Sequence, residues 1–294
     1  MGLFSASSAL LRRFDRWATP ALAVVGVGVF IYETVRPLRR RTRPRLERWP
    51  VNVGVSVPSL VGLRLLLLPG MTGLTQFAAK HRVGLLHRVQ LPEPVRVLAE
   101  LLILDYAAYS WHRLLHAPLL WRFHRVHHND LDMDLSTGWR FHAGEMLASI
   151  PYRGGVPALL GVRASTLLIY EAVFEACTAF HHSNAGLPIA IERQLAPLVV
   201  TPRVHGIHHS VVHRETQSNF GVVLTLWDRL HRTMRFNVPQ QDITIGVPAY
   251  ADPAEQRLKH LLLMPLDPLR PWARPDGSVP EHAPELLPLD VLAE

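Results

Sequence analysis

The chain is poor in charge and almost without cysteine. Only 19% of its 294 residues are charged, while 48% are hydrophobic. An ordinary soluble domain carries roughly 25% charge. The balance excludes a disordered chain and argues against a purely soluble protein. A single cysteine, Cys177, excludes a disulfide framework and any Cys-rich zinc or iron–sulfur site. The H-E-x-x-H pattern of common zinc proteases is absent, as are the Glu-x-x-His pairs of soluble di-iron bundles. Gly26 and Gly28 lie in an apolar stretch and make no dinucleotide fingerprint. No internal repeat or low-complexity tract is visible.

Histidine is abundant instead. There are 17, and thirteen of them fall between His112 and His231. Clustering of this kind points to metal.

Apolar stretches suggest a membrane protein. The first, Ala18 to Val35, is long enough to span and is followed by arginine rather than a small-residue cleavage site. Seven arginines follow: Arg36, Arg39, Arg40, Arg41, Arg43, Arg45 and Arg48. Such a run elsewhere would suggest nucleic acid. Directly after an apolar span it reads as a topology signal or an anionic-lipid contact, with the loop cytoplasmic. A second stretch, Val51 to about Leu74, is interrupted by Arg64 and Pro69-Gly70. A third runs from Val95 to Trp111. Met146 to Val162, broken by Pro151, Arg153 and Gly154-Gly155, and Leu167 to Phe180 are each short for a span. Together they predict a hairpin lying partly in the bilayer. Two crossings and this hairpin would bring every clustered histidine to the cytoplasmic face. The tail from Pro248 reads as a solvent-exposed end.

The histidines are spaced for one helical face. Asp105, Tyr109, His112 and His116 follow in steps of 4, 3 and 4. Asp105 is costly in an apolar segment unless partnered, and a carboxylate behind a metal-bound imidazole is a common partner. His124, His127 and His128 form H-x-x-H-H, and His205, His208 and His209 repeat it. Eight imidazoles in three motifs exceed one six-coordinate ion, so two metals are expected. Glu171, Glu175, Thr178 and His182 again step by 4, 3 and 4, with His181 beside them. His142 alone has the weakest pattern, and His213 and His231 read as surface residues. An all-imidazole pair of sites at a membrane suits iron and oxygen activation, with a substrate that lives in the bilayer.

The same segments resemble the fatty acid hydroxylase/sterol desaturase superfamily of integral-membrane di-iron proteins. They are Asp105-Tyr-Ala-Ala-Tyr-Ser-Trp-His-Arg-Leu-Leu-His116, Leu120-Trp-Arg-Phe-His-Arg-Val-His-His128, Thr137-Gly-Trp-Arg-Phe-His-Ala-Gly-Glu145, His182-Ser-Asn184, Thr201-Pro-Arg-Val-His-Gly-Ile-His-His209, Ser218-Asn-Phe-Gly221 and Leu226-Trp-Asp-Arg-Leu230. The resemblance covers about residues 95 to 235. It implies His112, His116, His124, His127, His128, His182, His205, His208 and His209 as ligands of two iron ions, with His142 a weaker candidate. It implies an all-α fold, an integral-membrane helical stem under a cytosolic helical cap. The expected organisation is membrane helices and a basic loop over 1–94, a catalytic domain over 95–235 and a cytosolic tail over 236–294.

The implied activity is O2-dependent hydroxylation of a lipid C–H bond. Desaturation or ether-lipid monooxygenation on the same site is the alternative. Electrons would come from a separate cytochrome b5-like protein or a ferredoxin with its reductase. Asp105, Glu171 and Glu175 would orient imidazoles. Asn184 and Asn219 would supply hydrogen bonds near the cap. The family usually closes this region with Leu-Phe-Gly-Thr, whereas this chain reads Leu230-His-Arg-Thr233. A non-enzymatic metal transporter would need ionisable residues continuing across the bilayer, and the histidines instead collect at one end of the spans.

Overall fold

A computed structural model describes residues 3–282 and residue 292. Helices dominate. The described residues contain no strand, only three isolated bridges: Pro37 with Ala185, Val199 with Leu224 and Ser210 with Ile245.

Helix α1, Leu3–Val35, is followed by α2, Arg45–Gly62, and α3, Leu68–Lys80. The last two are joined without a break by a π-helical turn, Leu63–Leu67. The sequence suggests an interruption at Pro69-Gly70, but the helix continues. Pro69 lacks the N–H that an α-helical turn would use, and the wider turn before it absorbs the mismatch. Among the described residues, two segments are long and apolar enough to cross a membrane, Ser8–Val35 and Arg45–His87. Val24, Val27, Ile31 and Val35 of α1 are each more than half exposed, an apolar surface that water would not favour.

Three further long helices follow: α4, Glu93–Leu115; α6, Ala143–Leu160; and α7, Ala164–His182. Between α4 and α6 lies α5, Pro118–His128. The segments expected to form a hairpin become α6 and α7, joined through Gly161 to Arg163, but they pack on other helices more than on each other. However, α6 runs unbroken through Pro151, Pro157 and both glycines. Gly154 lets α6 approach α3, because a Cβ there would stand 3.0 Å from Leu74 and 3.6 Å from the Met71 Cα. The helix ends at Gly161, which takes the left-handed conformation at φ 81°.

Short helices follow: α8, Ile189–Leu195; α9, Pro202–His208; α10, His213–Thr216; α11, Leu226–Leu230; and α12, Leu258–Leu263.

Among the seven loop arginines, Arg39, Arg45 and Arg48 are engaged within the protein. Arg39 donates to Gln240 and the Pro202 carbonyl. Arg45 pairs with Glu33 at 2.6 Å. Arg48 is buried and pairs with Asp130 and Asp134, both at 2.7 Å. Burial would raise the Asp130 carboxyl, but Arg48 and Arg140 together hold it well below the usual carboxylate range. Arg45 thus ties α2 to α1, Arg48 ties α2 to the segment after α5, and Arg39 ties the loop to α9 and Gln240.

The tail is also not a loose end. Tyr250, Leu261 and Met264 are buried with Val55 and Val126. The Arg125 guanidinium donates to the carbonyls of Met264, Asp267 and Pro268 and to the Tyr250 hydroxyl. Trp272 Nε1 donates to the Val211 carbonyl at 2.7 Å. Residues 248–282 therefore strap the helix that carries His124, His127 and His128.

Candidate metal centre

Four helices deliver the histidines. In α9, Thr201 caps the first turn by accepting from the Val204 N–H and Pro202 occupies the first position. The helix thereby begins one turn before His205. In α5, Pro118 plays the same starting role. An α-helix turns about 100° per residue, so in H-x-x-H-H the first and last imidazoles share one flank and the middle one takes the other.

The two motifs use this geometry in opposite senses. His124 and His128 join His112, His116 and His208, with one ring nitrogen from each lying within 4.8 Å of all the others. His127 instead joins His182, His205 and His209, again within 4.8 Å. So α5 contributes two imidazoles to the first group and one to the second, while α9 contributes one and two. The groups adjoin: His128 stacks on His209 with ring centroids 4.3 Å apart, and His124 on His127 at 5.2 Å.

Carbonyls set the tautomers. A carbonyl only accepts, so a ring nitrogen facing one carries the proton and leaves the other as a lone-pair donor. His112 Nδ1 donates to the Phe220 carbonyl at 2.8 Å and His208 Nδ1 to the Ser218 carbonyl at 2.7 Å. His181 Nδ1 donates to Val222 at 3.1 Å, and His182 Nδ1 to Thr178 at 2.9 Å. Residues 218, 220 and 222 thus present alternate carbonyls to three imidazoles. His124 Nδ1 faces the Glu145 carboxylate at 3.1 Å.

The donor set fits metal. Nε2 of His116, His124, His128 and His208 is buried with no hydrogen-bond partner, which is costly unless something binds there. In the second group, His182 Nε2 lies 2.9 Å from His127 Nε2 and 3.0 Å from His205 Nε2. Two nitrogens bonded at right angles to one ion, each about 2.1 Å away, would stand about 3 Å apart. Burial pushes His182 and His208 down to about 3 and holds His127, His128, His205 and His209 well below their ordinary value. The imidazoles are therefore neutral, the form that binds metal.

Several expected residues lie elsewhere. His142 is outside both groups: its Nδ1 caps α6 by accepting from Gly144 N–H, and its Nε2 donates to the Leu262 carbonyl. His181 is adjacent to the second group but not in it. Asp105 touches no imidazole. It accepts from Trp227 Nε1 at 2.8 Å, Tyr170 Oη at 2.9 Å and Leu224 N at 3.2 Å. Glu171 pairs with Arg153, and neither it nor Glu175 reaches an imidazole. Asn219, at φ 55°, bonds Val204, Arg235 and Thr233 backbone groups rather than the site. Asn184 is tied to Arg39 and Glu33. His213 is exposed, whereas His231 is half-buried and stacked on Tyr109 at 5.1 Å.

Two supporting residues carried no assigned role in the sequence. Glu145 faces His124. Asp228 accepts from the N–H groups of Phe220 and Gly221 at 2.8 and 2.7 Å and so shapes the turn that presents the carbonyls. Both stand inside the matched segments, but nothing in their spacing joins them to a histidine.

A cavity opens beside the histidines between α4, α6 and α7. His112, His124, His127, His182 and His205 form one end, Leu104, Ala107, Ala108, Trp111 and Phe174 the apolar middle, and Arg153, Glu171 and Glu175 the other end.

Residues 97–233 match the fatty acid hydroxylase family. The chain is 34% identical to the ornithine lipid hydroxylase OlsE of Rhizobium tropici over 54% of its own length and 47% of the relative's. It is 30% identical to cholesterol 25-hydroxylase of Rattus norvegicus, covering 56% and 55% of the two chains. Alkylglycerol monooxygenase of Homo sapiens is 24% identical over 49% and 31%. The chain spans about half the length of the first two. No solved structure matches it. With the two apolar helices, these relatives point to a membrane protein. Over residues 97–233, which hold both histidine groups, the chain is thus similar to the fatty acid hydroxylase/sterol desaturase superfamily.

Proposed function

We propose that the protein is a membrane di-iron oxidoreductase that uses O2 to hydroxylate a C–H bond of a lipid. The observation that carries this reading is the pair of buried imidazole groups, five and four residues, at one end of an apolar cavity. His112, His116, His124, His128 and His208 would hold one iron, and His127, His182, His205 and His209 the other. When bound, the irons would supply oxygen activation, chemistry that side chains alone lack.

The chain's own residues perform the remaining work. The carbonyls of Ser218, Phe220 and Thr178 hold imidazole protons at Nδ1 and so keep Nε2 aimed inward. Glu145 does the same for His124 as a stronger acceptor. Leu104, Ala107, Ala108 and Trp111 exclude water and hold an alkyl chain in register. Electrons would come from a separate donor, a cytochrome b5-like protein or a ferredoxin with its reductase. In this reading the basic loop and the histidines face the cytoplasm. Desaturation or ether-lipid oxygenation on the same site is the second reading, favoured by the likeness to alkylglycerol monooxygenase.

The test is turnover of purified, iron-loaded protein with reductant, membrane lipid and isotopically heavy O2. A labelled hydroxyl in a lipid, lost in His208→Ala, is the expected result. A new alkene without label selects desaturation. Iron-loaded, folded protein that leaves every lipid unchanged overturns the proposal.

A further inference from the structure

The end of the cavity remote from the histidines is charged, and no part of the chemistry above uses it. Arg153 of α6 and Glu171 of α7 form an ion pair at 2.5 Å. The guanidinium also lies over the Phe174 ring, 4.9 Å from its centroid. One turn further along α7, Glu175 lines the same cavity and makes no hydrogen bond among the described residues. One cation therefore faces two carboxylates, and the cation is already paired.

An ionised carboxylate only accepts hydrogen bonds. Leaving one unpaired against apolar walls is unfavourable. Ser149, Tyr152, Tyr170 and Thr178 line the same cavity, but Tyr170 donates to Asp105 and Ser149 to the Met146 carbonyl, and among the described residues none donates to the Glu175 carboxylate. Glu175 precedes His182 by seven residues on one helix, about 10 Å along its axis. A molecule with a donor at one end and an alkyl body would place that body between Glu175 and the histidines.

We propose that Glu175 is the headgroup-recognition residue of this cavity and selects amphiphiles whose polar end donates a hydrogen bond, a hydroxyl or an ammonium. Arg153 and Glu171 position that carboxylate and close the end of the cavity. This inference rests on the cavity being the substrate site of the function proposed above. It excludes plain hydrocarbons as preferred substrates.

The test is equilibrium binding of radiolabelled decanol, decylamine and decane to the detergent-purified, iron-loaded protein, which needs no turnover. Saturable binding of decanol or decylamine at least tenfold tighter than decane is expected. Glu175→Ala should remove that preference, a loss of about tenfold or more in affinity, equal to about 1.4 kcal/mol. Glu175→Gln keeps an acceptor but no charge. A hydroxyl preference survives it, and an ammonium preference does not. Iron content shows that each variant is folded.

Equal binding of all three chains, no saturable binding, or an unchanged preference in Glu175→Ala overturns the inference. Selective binding without any oxygenated product leaves it standing and removes the oxygenase reading instead.

Discussion

Asp228 reaches the metal centre through Phe220. Its Oδ1 accepts the Phe220 N–H at 2.8 Å, and the carbonyl of that same residue accepts the His112 Nδ1–H at 2.8 Å. Oδ2 accepts from Gly221 N–H at 2.7 Å, and Thr233 Oγ1 donates to Oδ1 at 2.7 Å. The carboxylate is fully buried. Asp228→Ala strands two buried N–H groups, each worth about 1–3 kcal/mol. A lower unfolding temperature and depleted iron are expected, with Asp228→Asn milder. Undiminished iron in Asp228→Ala would sever the link to His112.

The opposite splitting of the two H-x-x-H-H motifs predicts separable metals. His208→Ala removes a member of the five-histidine group and His205→Ala one of the four-histidine group. Each variant should retain roughly one iron of two, because each group keeps its own ligands. Elemental analysis of both decides it. Loss of all metal in each would mean one coupled site.

Glu145 is the sole carboxylate against an imidazole of the two groups among the described residues. Such partners typically contribute 10–100-fold in metal affinity. Glu145→Ala should lose iron to a chelator at roughly 10–100-fold lower concentration, and Glu145→Gln, which keeps one acceptor, at less. Equal retention in wild type and Glu145→Ala would remove this role.

Arg232 sits at φ 57°, in the left-handed region that favours glycine. It stands where the family ending Leu-Phe-Gly-Thr has its glycine. The conformation costs a non-glycine residue about 1–2 kcal/mol. Arg232→Gly should therefore raise the unfolding temperature despite the added freedom of the unfolded chain. A lowered temperature would show that the arginine makes a compensating contact.

Acid should destabilise the metal-free protein. His182 and His208 have folded values of about 3 against 6.5 in an unfolded chain, with burial the main cause. Between those values the unfolded chain binds protons that the folded one refuses, so stability falls as pH falls. Asp228 acts the other way: burial raises it to about 6 from 3.8, so it favours the folded state on acidification. Glu192, also raised by burial, acts in the same direction as Asp228, but the depressed imidazoles, with His127, His128, His205 and His209 joining His182 and His208, outnumber the raised carboxylates. Thermal unfolding of the stripped protein at about pH 7 and pH 5 should show the lower midpoint at pH 5, and a higher one would refute this balance.

Histidine spacing, apolar length and absent motifs are local properties, and they were legible in order. The 3.6-residue period alone groups His112 with His116 and repeats H-x-x-H-H. It also places Asp105, Glu171 and Glu175 in stripes with histidines, and here the inference fails. A stripe says which residues share a face, not how far along the axis a side chain reaches. Asp105 lies two turns from His112 and meets Trp227 instead. Pro69 and Pro151 read as breaks because the sequence shows the missing donor but not the π turn or the packing that accommodates it.

By itself, then, the sequence determined that this chain is helical, carries apolar segments long enough to span a membrane and gathers imidazoles in numbers suited to more than one metal; of the three crossings it suggested, the first two fall on helices long and apolar enough to span, and Val95–Trp111 does not. Which imidazole joins which group was decided only by the tertiary structure, because that choice depends on how α4, α5, α7 and α9 face one another. The same holds for the carbonyls of Ser218 and Phe220, since a backbone group has no signature in the sequence. It holds for Glu145 and Asp228 as well, whose contacts follow from helix packing and a turn. Arg48 shows the division most plainly: its charge is visible in the sequence, but its burial against Asp130 and Asp134 arises from segments more than eighty residues apart.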